Sequence, residues 1–241
     1  MKKILSLIVL SSFAFSANAF AESTNSDVQS DANVTNSARS SNFEGLMPSV
    51  HVGAVGYEST FSYSGTLYGS PYTSSHQWGG TATSKGVGLS YLKAVNDKWL
   101  VGAGVTYDFG SANVAKSVAT HSGITYQTKA TVKNHFSVYL QPTYAINEKS
   151  ALFAKVGYHS IGLKVIDDKG QTYRDFKAAK TNLDGIGYGF GLMTFVDENV
   201  FVKAEMEFVS YREVEIPYGT GHNLRYKLDT AAGIVTLGYK F

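Results

Sequence analysis

The stretch that decides the fold is WLVGAGVTYDF, residues 99–109, in which large apolar side chains alternate with small or polar ones. Successive side chains of an extended strand point to opposite faces, so Trp99 and Val105 share one face and Gly102 lies on the other. A helix would instead place its apolar residues three and four positions apart. The alternation therefore predicts a β-strand with one apolar face.

The same alternation, with a period of two residues, recurs to the end of the chain. Three short turns rich in Asn, Asp and Glu, at 96–98, 147–149 and 197–199, join pairs of alternating runs. Polar stretches of about 20 residues separate these pairs, which predicts eight strands with both termini on the side of the short turns. The predicted strands are 48–62, 85–95, 99–110, 132–145, 150–160, 184–196, 200–210 and 230–241.

The apolar face of these strands is best explained as an outward face. Lys203, Glu205 and Glu207 alternate with apolar residues, so the opposite face carries charge as well as glycine. A soluble sandwich has the reverse arrangement, whereas a membrane barrel turns its apolar face to lipid and ends its strands in aromatic residues. The expected aromatics are Trp99, Tyr144, Tyr239 and Phe241 at the short turns, and Tyr57, Tyr107, Phe109, Tyr158 and Phe208 at the long loops.

The predicted fold class is therefore all-β: an eight-stranded antiparallel transmembrane β-barrel, an up-and-down meander with short periplasmic turns and long extracellular loops. The stretches 161–173 and 214–226 alternate about turn residues and predict β-flaps that extend two of the strand pairs. A ten-stranded barrel remains open at this stage, if either flap is a membrane hairpin.

The N-terminus predicts a segment that is removed. Two lysines precede a short apolar run and an A-x-A pattern, so residues 1–19 are expected to be a signal peptide, cleaved after Ala19 or alternatively after Ala21. Residues 20–47 are polar and predict a flexible arm. The barrel is expected to cover 48–241.

At three places the chain resembles the small eight-stranded outer-membrane proteins: the OmpX/Ail group, the opacity-like porin family and the membrane domain of OmpA. The places are the glycine-rich run 185–191, the run 201–205 (FVKAE) and the final residues Val235, Leu237, Tyr239 and Phe241. The resemblance implies the outer membrane of a Gram-negative bacterium. It also implies that the four final residues are a signal for the outer-membrane assembly machinery.

Four charged residues are predicted to face the lumen, and opposite charges are expected to pair there because isolated buried charge is costly. They are Lys155, Lys203, Glu205 and Glu207, with Lys133 and His135 above them. We expect Glu205 to pair with Lys155 or Lys203 and to plug the lumen. The alternative is a narrow porin-like channel for small solutes.

The composition excludes several classes of site. The chain has no cysteine, and its formal net charge of +2 is too small for a nucleic-acid binder. His159 and Ser160 are adjacent in a strand and point to opposite sides, so they do not form a catalytic pair. We expect no enzyme, metal or cofactor, and modification of lipid A is the third candidate function. The histidines regarded as scattered are His51, His76, His121 and His222.

The long loops are expected to carry the function. The resemblance implies adhesion to a host surface protein or glycan, and the alternative is that the loops protect the barrel and contact lipopolysaccharide. We expect a monomer, held among outer-membrane lipids. The candidate contact residues are Tyr68, Tyr72, Trp78, Tyr126, Tyr173 and Tyr218.

Overall fold

The computed structural model describes residues 40–67, 70–121, 124–169, 179–217 and 223–241. The predicted signal peptide and most of the predicted arm lie outside these residues. Tyr68, Tyr173 and Tyr218 also lie outside them.

The described residues form a short 3-10 helix, Ser40–Phe43, followed by nine β-strands. The strands are β1 (Gly45–Leu67), β2 (Ser70–Ala94), β3 (Trp99–His121), β4 (Ile124–Ala145), β5 (Ser150–Lys169), β6 (Ala179–Phe195), β7 (Val200–Tyr211), β8 (Val214–Pro217) and β9 (Asn223–Tyr239).

The strands form one closed antiparallel barrel. Neighbours follow chain order from β1 to β7, then β9, and β9 pairs back with β1. β8 continues the line of β7 after two residues and also pairs with β9. The predicted eight-stranded meander is therefore confirmed. The flaps lengthen existing strands instead of adding two more.

The short turns fall where the sequence predicts them. Asn96 accepts hydrogen bonds from the backbone N–H groups of Lys98 and Trp99, both at 3.0 Å. Asn147 does the same for Lys149 at 2.9 Å and Ser150 at 2.7 Å. These bonds join residues two or three positions apart, so the turn depends on local sequence, which is why the sequence located it.

The opposite ends of the strands are much longer than predicted. β1 and β2 stay paired up to Leu67 and Ser70, and β3 and β4 up to His121 and Ile124. The sequence suggested loops at 63–84 and 110–131 because these stretches are polar. They are strands that have left the apolar belt, so their outward residues are polar.

The N-terminal end of the barrel also differs from the prediction. β1 begins at Gly45, and the helix Ser40–Phe43 lies within the predicted arm. Phe43 is fully buried, with its ring 5.4 Å from that of Phe195. Glu44 pairs with Lys93 at 2.6 Å, and the Lys93 ammonium, together with a backbone N–H, lowers the pKa of the Glu44 carboxyl. The buried Phe43 ring and the Glu44–Lys93 ion pair together hold this otherwise polar segment against the barrel.

A belt of exposed apolar side chains surrounds the lower part of the barrel. It includes Val50, Val52, Leu89, Val101, Val138, Leu140, Leu152, Val156, Ile186, Phe190, Val235 and Leu237. Aromatic residues border the belt, with Trp99 edge-on to Tyr144 at one end and Tyr188 stacked on Phe208 at the other. Tyr57, expected in the upper border, instead faces inward and is 9% exposed, because β1 turns its odd-numbered residues inward.

Above the belt the barrel wall divides into two sheets. The pairing of β2 with β3 ends at Gly86 and Asp108, and that of β6 with β7 ends at Gly185 and Tyr211. The first sheet therefore consists of β8, β9, β1 and β2, and the second sheet of β3, β4, β5 and β6. A hydrogen bond of 3.3 Å from the Ser59 hydroxyl to the carbonyl oxygen of Val114 joins them.

Candidate functional site

Side chains that point into the barrel form three layers. A lower cluster of buried apolar side chains lies near the short turns, and an upper cluster lies between the two sheets. The polar layer lies between them and holds the candidate site. The lower cluster contains Phe43, Met47, Leu92, Leu100, Phe153, Met193, Phe195 and Phe201. The upper cluster contains Tyr57, Phe61, Val114, Val132, Ile161, Leu163, Leu183, Val209, Tyr211, Tyr226 and Leu228.

The predicted lumen charges lie in the polar layer. The Lys155 ammonium is 2.5 Å from the Glu205 carboxylate, and their side chains are 10% and 2% exposed. The same ammonium lies 4.4 Å from the centre of the Tyr139 ring. The Lys203 ammonium is buried above the Phe201 ring, 5.1 Å from its centre. Because both ions of the Lys155–Glu205 pair are buried, removing either partner alone should destabilise the barrel strongly.

The two residues predicted above this pair behave differently. His135 faces inward, whereas Lys133 is exposed on the outer surface. A β-bulge between them explains the difference, since the register of β4 shifts there and Asn134 adopts a positive φ of 51°. One extra residue moves the following side chain to the opposite face.

A chain of hydrogen bonds links residues from five strands across the polar layer. The Asp108 carboxylate accepts a hydrogen bond from His135 Nδ1 and lies 2.5 Å from His51 Nε2. The Ser84 hydroxyl donates to the same carboxylate at 2.7 Å. On the far side, His135 Nε2 is 2.9 Å from His159 Nδ1, and the two rings are stacked.

Glu207 completes this group. Its carboxylate and the side chains of Asp108 and His135 line a cavity of about 60 Å³ beneath the upper cluster. Among the described residues, none forms a hydrogen bond or ion pair with Glu207. One potential ligand atom from each of His135, His159 and Glu207 lies within 4.8 Å of the other two, which is a geometry able to accept a metal ion.

The sequence did not reveal this cluster. It suggested scattered histidines and no metal site, because the members of the cluster are distant along the chain. One signal was available: all are inward residues, and Asp108 and His159 stand equally far from the first residues of β3 and β5. Counting from the short turns would have placed them at one level of the barrel.

Inward glycines make room for the rings of the polar layer. A Cβ atom at Gly187 would lie 2.3 Å from His159 Nε2, and one at Gly86 would lie 2.7 Å from the His51 ring. Gly187 and Gly86 therefore have a structural role, because the His159 and His51 rings that they accommodate belong to the candidate site.

The predicted contact residues have different positions. Tyr72 lies on β2 and Tyr126 on β4, both above the belt. Trp78 does not present a free outer surface, because its ring packs edge-on against Phe61 of the upper cluster at 4.8 Å. Its partner across the sheet is Ser59, which is fully buried, so the pleat turns Trp78 inward.

The C-terminal residues lie at the lower end of the belt. Val235, Leu237, Tyr239 and Phe241 all point outward, with exposed fractions between 43% and 74%. The backbone N–H of Phe241 donates to the carbonyl of Leu46 at 2.9 Å, which ties the end of the chain to β1. No helix among the described residues is long and apolar enough to cross a membrane.

No family model matches the chain, and no curated protein matches its sequence. Solved structures do match it. The attachment invasion locus protein Ail of Yersinia pestis, crystallised with the heparin analogue sucrose octasulfate, is 16% identical, with a TM-score of 0.44 over 82% of this chain and 99% of Ail.

Two further structures are similar over the same share of this chain. The outer-membrane protein OprG of Pseudomonas aeruginosa is 11% identical, with a TM-score of 0.45 over 82% of this chain and 96% of OprG. The outer-membrane protease OmpT of Escherichia coli is 10% identical, with a TM-score of 0.39 over 82% of this chain and 97% of OmpT. At these identities the function has to be argued from this chain's own residues.

Proposed function

We propose that this chain is a closed barrel of a bacterial outer membrane, whose two sheets project from the cell and bind an external partner. The observation that carries the proposal is a reversal of polarity along the strands that extend above the belt. In the belt, apolar residues face outward and charged residues face the lumen. Above the belt, polar residues face outward and apolar residues fill the interior.

The belt has the dimensions of a membrane span. From Trp99 to Phe109, a strand rising about 3.4 Å per residue covers about 34 Å, which becomes about 26 Å of height at a tilt of about 40°. The apolar band of outer-membrane barrels is about 25 Å tall. Above the belt the outward residues become Ser160, Asp184 and Ser210, which suit water and headgroups.

The projecting sheets supply the binding surface. Beyond Gly86 the described part of β2 pairs only with β1, so its stretch 70–85 is a strand edge that a partner strand can extend. The facing edge is β3 beyond Asp108. The second sheet also presents Lys129, Lys133 and Lys164 on its outer face, which favours anionic partners such as lipopolysaccharide phosphates or sulfated glycans.

Shortening the projection tests this proposal. Deleting 63–74 joins β1 to β2 at the pair Ser62 and Ser75 and leaves the belt intact. Bacteria that produce this variant should lose most of the adhesion to host cells or immobilised heparin that the full-length protein confers. The control replaces Glu148 with Ala in a periplasmic turn. Equal adhesion by the deletion variant and the full-length protein would contradict a role for the removed part of the projection, which includes 70–74 of this edge.

The filled lumen argues against a pore. Fully buried Phe43, Met47 and Phe201 occupy the lower end, and Phe61 and Tyr226 occupy the upper region. Pure protein in a planar bilayer should therefore give no large, steady single-channel current. Lipid A from cells with and without the protein should also have the same mass spectrum, since we propose no catalytic role.

The ends of the chain are assigned by the same proposal. We place the lower end of the barrel, with both termini, in the periplasm, and we propose that the final residues from Val235 to Phe241 are read by the assembly machinery. We also propose cleavage of residues 1–19. Mass measurement of the mature protein distinguishes cleavage after Ala19 from cleavage after Ala21.

A further inference from the structure

Beyond the proposed surface role, we propose that the polar layer binds one divalent transition-metal ion through His135, His159 and Glu207. These residues bring two imidazoles and one carboxylate from three strands to the same place, with ligand atoms within 4.8 Å of one another. Two nitrogens and a carboxylate are a common donor set for Zn²⁺ and its neighbours in the first transition row.

Asp108 orients the first ligand. It accepts the hydrogen bond from His135 Nδ1, so Nε2 carries the lone pair that faces His159. A carboxylate on the far nitrogen of a ligating histidine is the usual support of such sites, because it fixes the tautomer and raises the basicity of the ligand. Asp108 is itself held by His51 and Ser84.

The present distance between the two histidine nitrogens is close to that of a metal site, so binding requires only side-chain movement. His135 Nε2 and His159 Nδ1 are 2.9 Å apart and share one proton. Metal–nitrogen bonds of about 2.0 to 2.1 Å in tetrahedral geometry place two ligands about 3.3 Å apart. The ion therefore takes the place of the shared proton, which moves from Nδ1 to Nε2 of the His159 ring so that this ring binds as a neutral imidazole. The two rings separate slightly and the Glu207 carboxylate swings in.

The surroundings leave room for a fourth ligand. The cavity of about 60 Å³ borders both His135 and Glu207, and a water molecule needs about 10 to 15 Å³ of such space. The fourth position is thus open to water. The formal charge of the polar layer favours a cation, because its three carboxylates outnumber its two ammonium groups by one. The carboxylates are Asp108, Glu205 and Glu207, and the ammonium groups are Lys155 and Lys203.

Refolding in the presence of Co²⁺ or Zn²⁺ tests the site. Full-length mature protein, refolded from urea into phosphatidylcholine vesicles with each metal and then freed of unbound ion, should retain one equivalent. The Co²⁺ form should show the strong visible absorption of four-coordinate cobalt. Because the upper cluster closes the lumen, loading of the folded barrel should be slower than loading during refolding.

Three variants locate the ion. Glu207→Gln and His159→Gln each remove a ligand and should weaken binding by more than the roughly 10- to 100-fold expected for Asp108→Asn, which removes only the support of His135. The control is His76→Gln, on the extracellular part of β2, which should bind as the wild type does.

If a variant fails to fold, measurements on the wild type alone still test the metal site. Binding of the ion to the folded state should raise the urea concentration needed for unfolding relative to protein kept in a chelator. No retained metal and no such shift in the wild type overturn the proposal. So does metal retention that is the same in Glu207→Gln, His159→Gln and the wild type.

Discussion

The buried ion pair is the residue-scale feature with the greatest expected effect on stability. Replacing Glu205 with Leu leaves the Lys155 ammonium in the lumen without its partner at 2.5 Å. We expect a loss of about 3 to 5 kcal/mol, because an uncompensated charge remains buried. Urea unfolding in vesicles, followed by tryptophan fluorescence, measures it. The double variant Lys155→Met/Glu205→Leu should recover most of the loss, and failure to recover would mean that packing, not charge, dominates.

The lumenal glycines offer a second test at this scale. Gly187→Ala places a methyl group 2.3 Å from the His159 ring, so the ring or the strand has to move. We expect a loss of about 1 to 3 kcal/mol, the usual effect of overpacking. Gly56→Ala is the matched control, since its Cβ would lie 3.7 Å from the nearest atom. Equal unfolding free energies for the two variants would contradict the tight packing of His159.

At the scale of elements, the short turns are set by single side chains. Asn147→Ala removes the acceptor of two backbone N–H groups, from Lys149 and Ser150. We expect a loss of about 1 kcal/mol, because both groups must then rely on water. The neighbouring change Glu148→Ala should alter stability by less than about 0.5 kcal/mol. Chemical unfolding of both variants checks this, and a larger effect at Glu148 would contradict it.

The sequence predicts an element well when neighbouring residues determine that element, and poorly when its position in the barrel determines it. The lower strand ends were predictable because turn residues such as Asn96 act locally. The upper ends were missed because outward residues there face water, so a strand has the composition of a loop. The bulge at Asn134 reversed the face of Lys133, and no alternation rule foresees one extra residue.

The candidate site illustrates the same limit. Inward alternation predicted that Lys155, Lys203 and Glu205 face the lumen, since that needs only the period of the strand. The cluster of Asp108, His135 and His159 depends on the register between three strands, which the hydrogen-bond ladder fixes and composition does not. Closure of the barrel brings residues that are far apart in sequence next to one another at the same level along the barrel axis.

At the scale of the whole molecule, the reversal of polarity locates the membrane and can be tested. Leu140 is 58% exposed in the belt and pairs with Ala103, near the middle of the run from Trp99 to Phe109. If lipid covers this face, Leu140→Arg places a cation near the bilayer midplane and should cost about 2 to 4 kcal/mol.

The control for this change is Ser64→Arg, an exposed position of β1 above the belt, where arginine meets water. Its expected effect is within about 0.5 kcal/mol. Reversible urea unfolding from phospholipid vesicles gives both values. A barrel that stands in water would tolerate arginine equally well at the two positions, so equal free energies would contradict the membrane assignment, whereas a gap of the expected size makes lipid the reason for the exposed apolar belt.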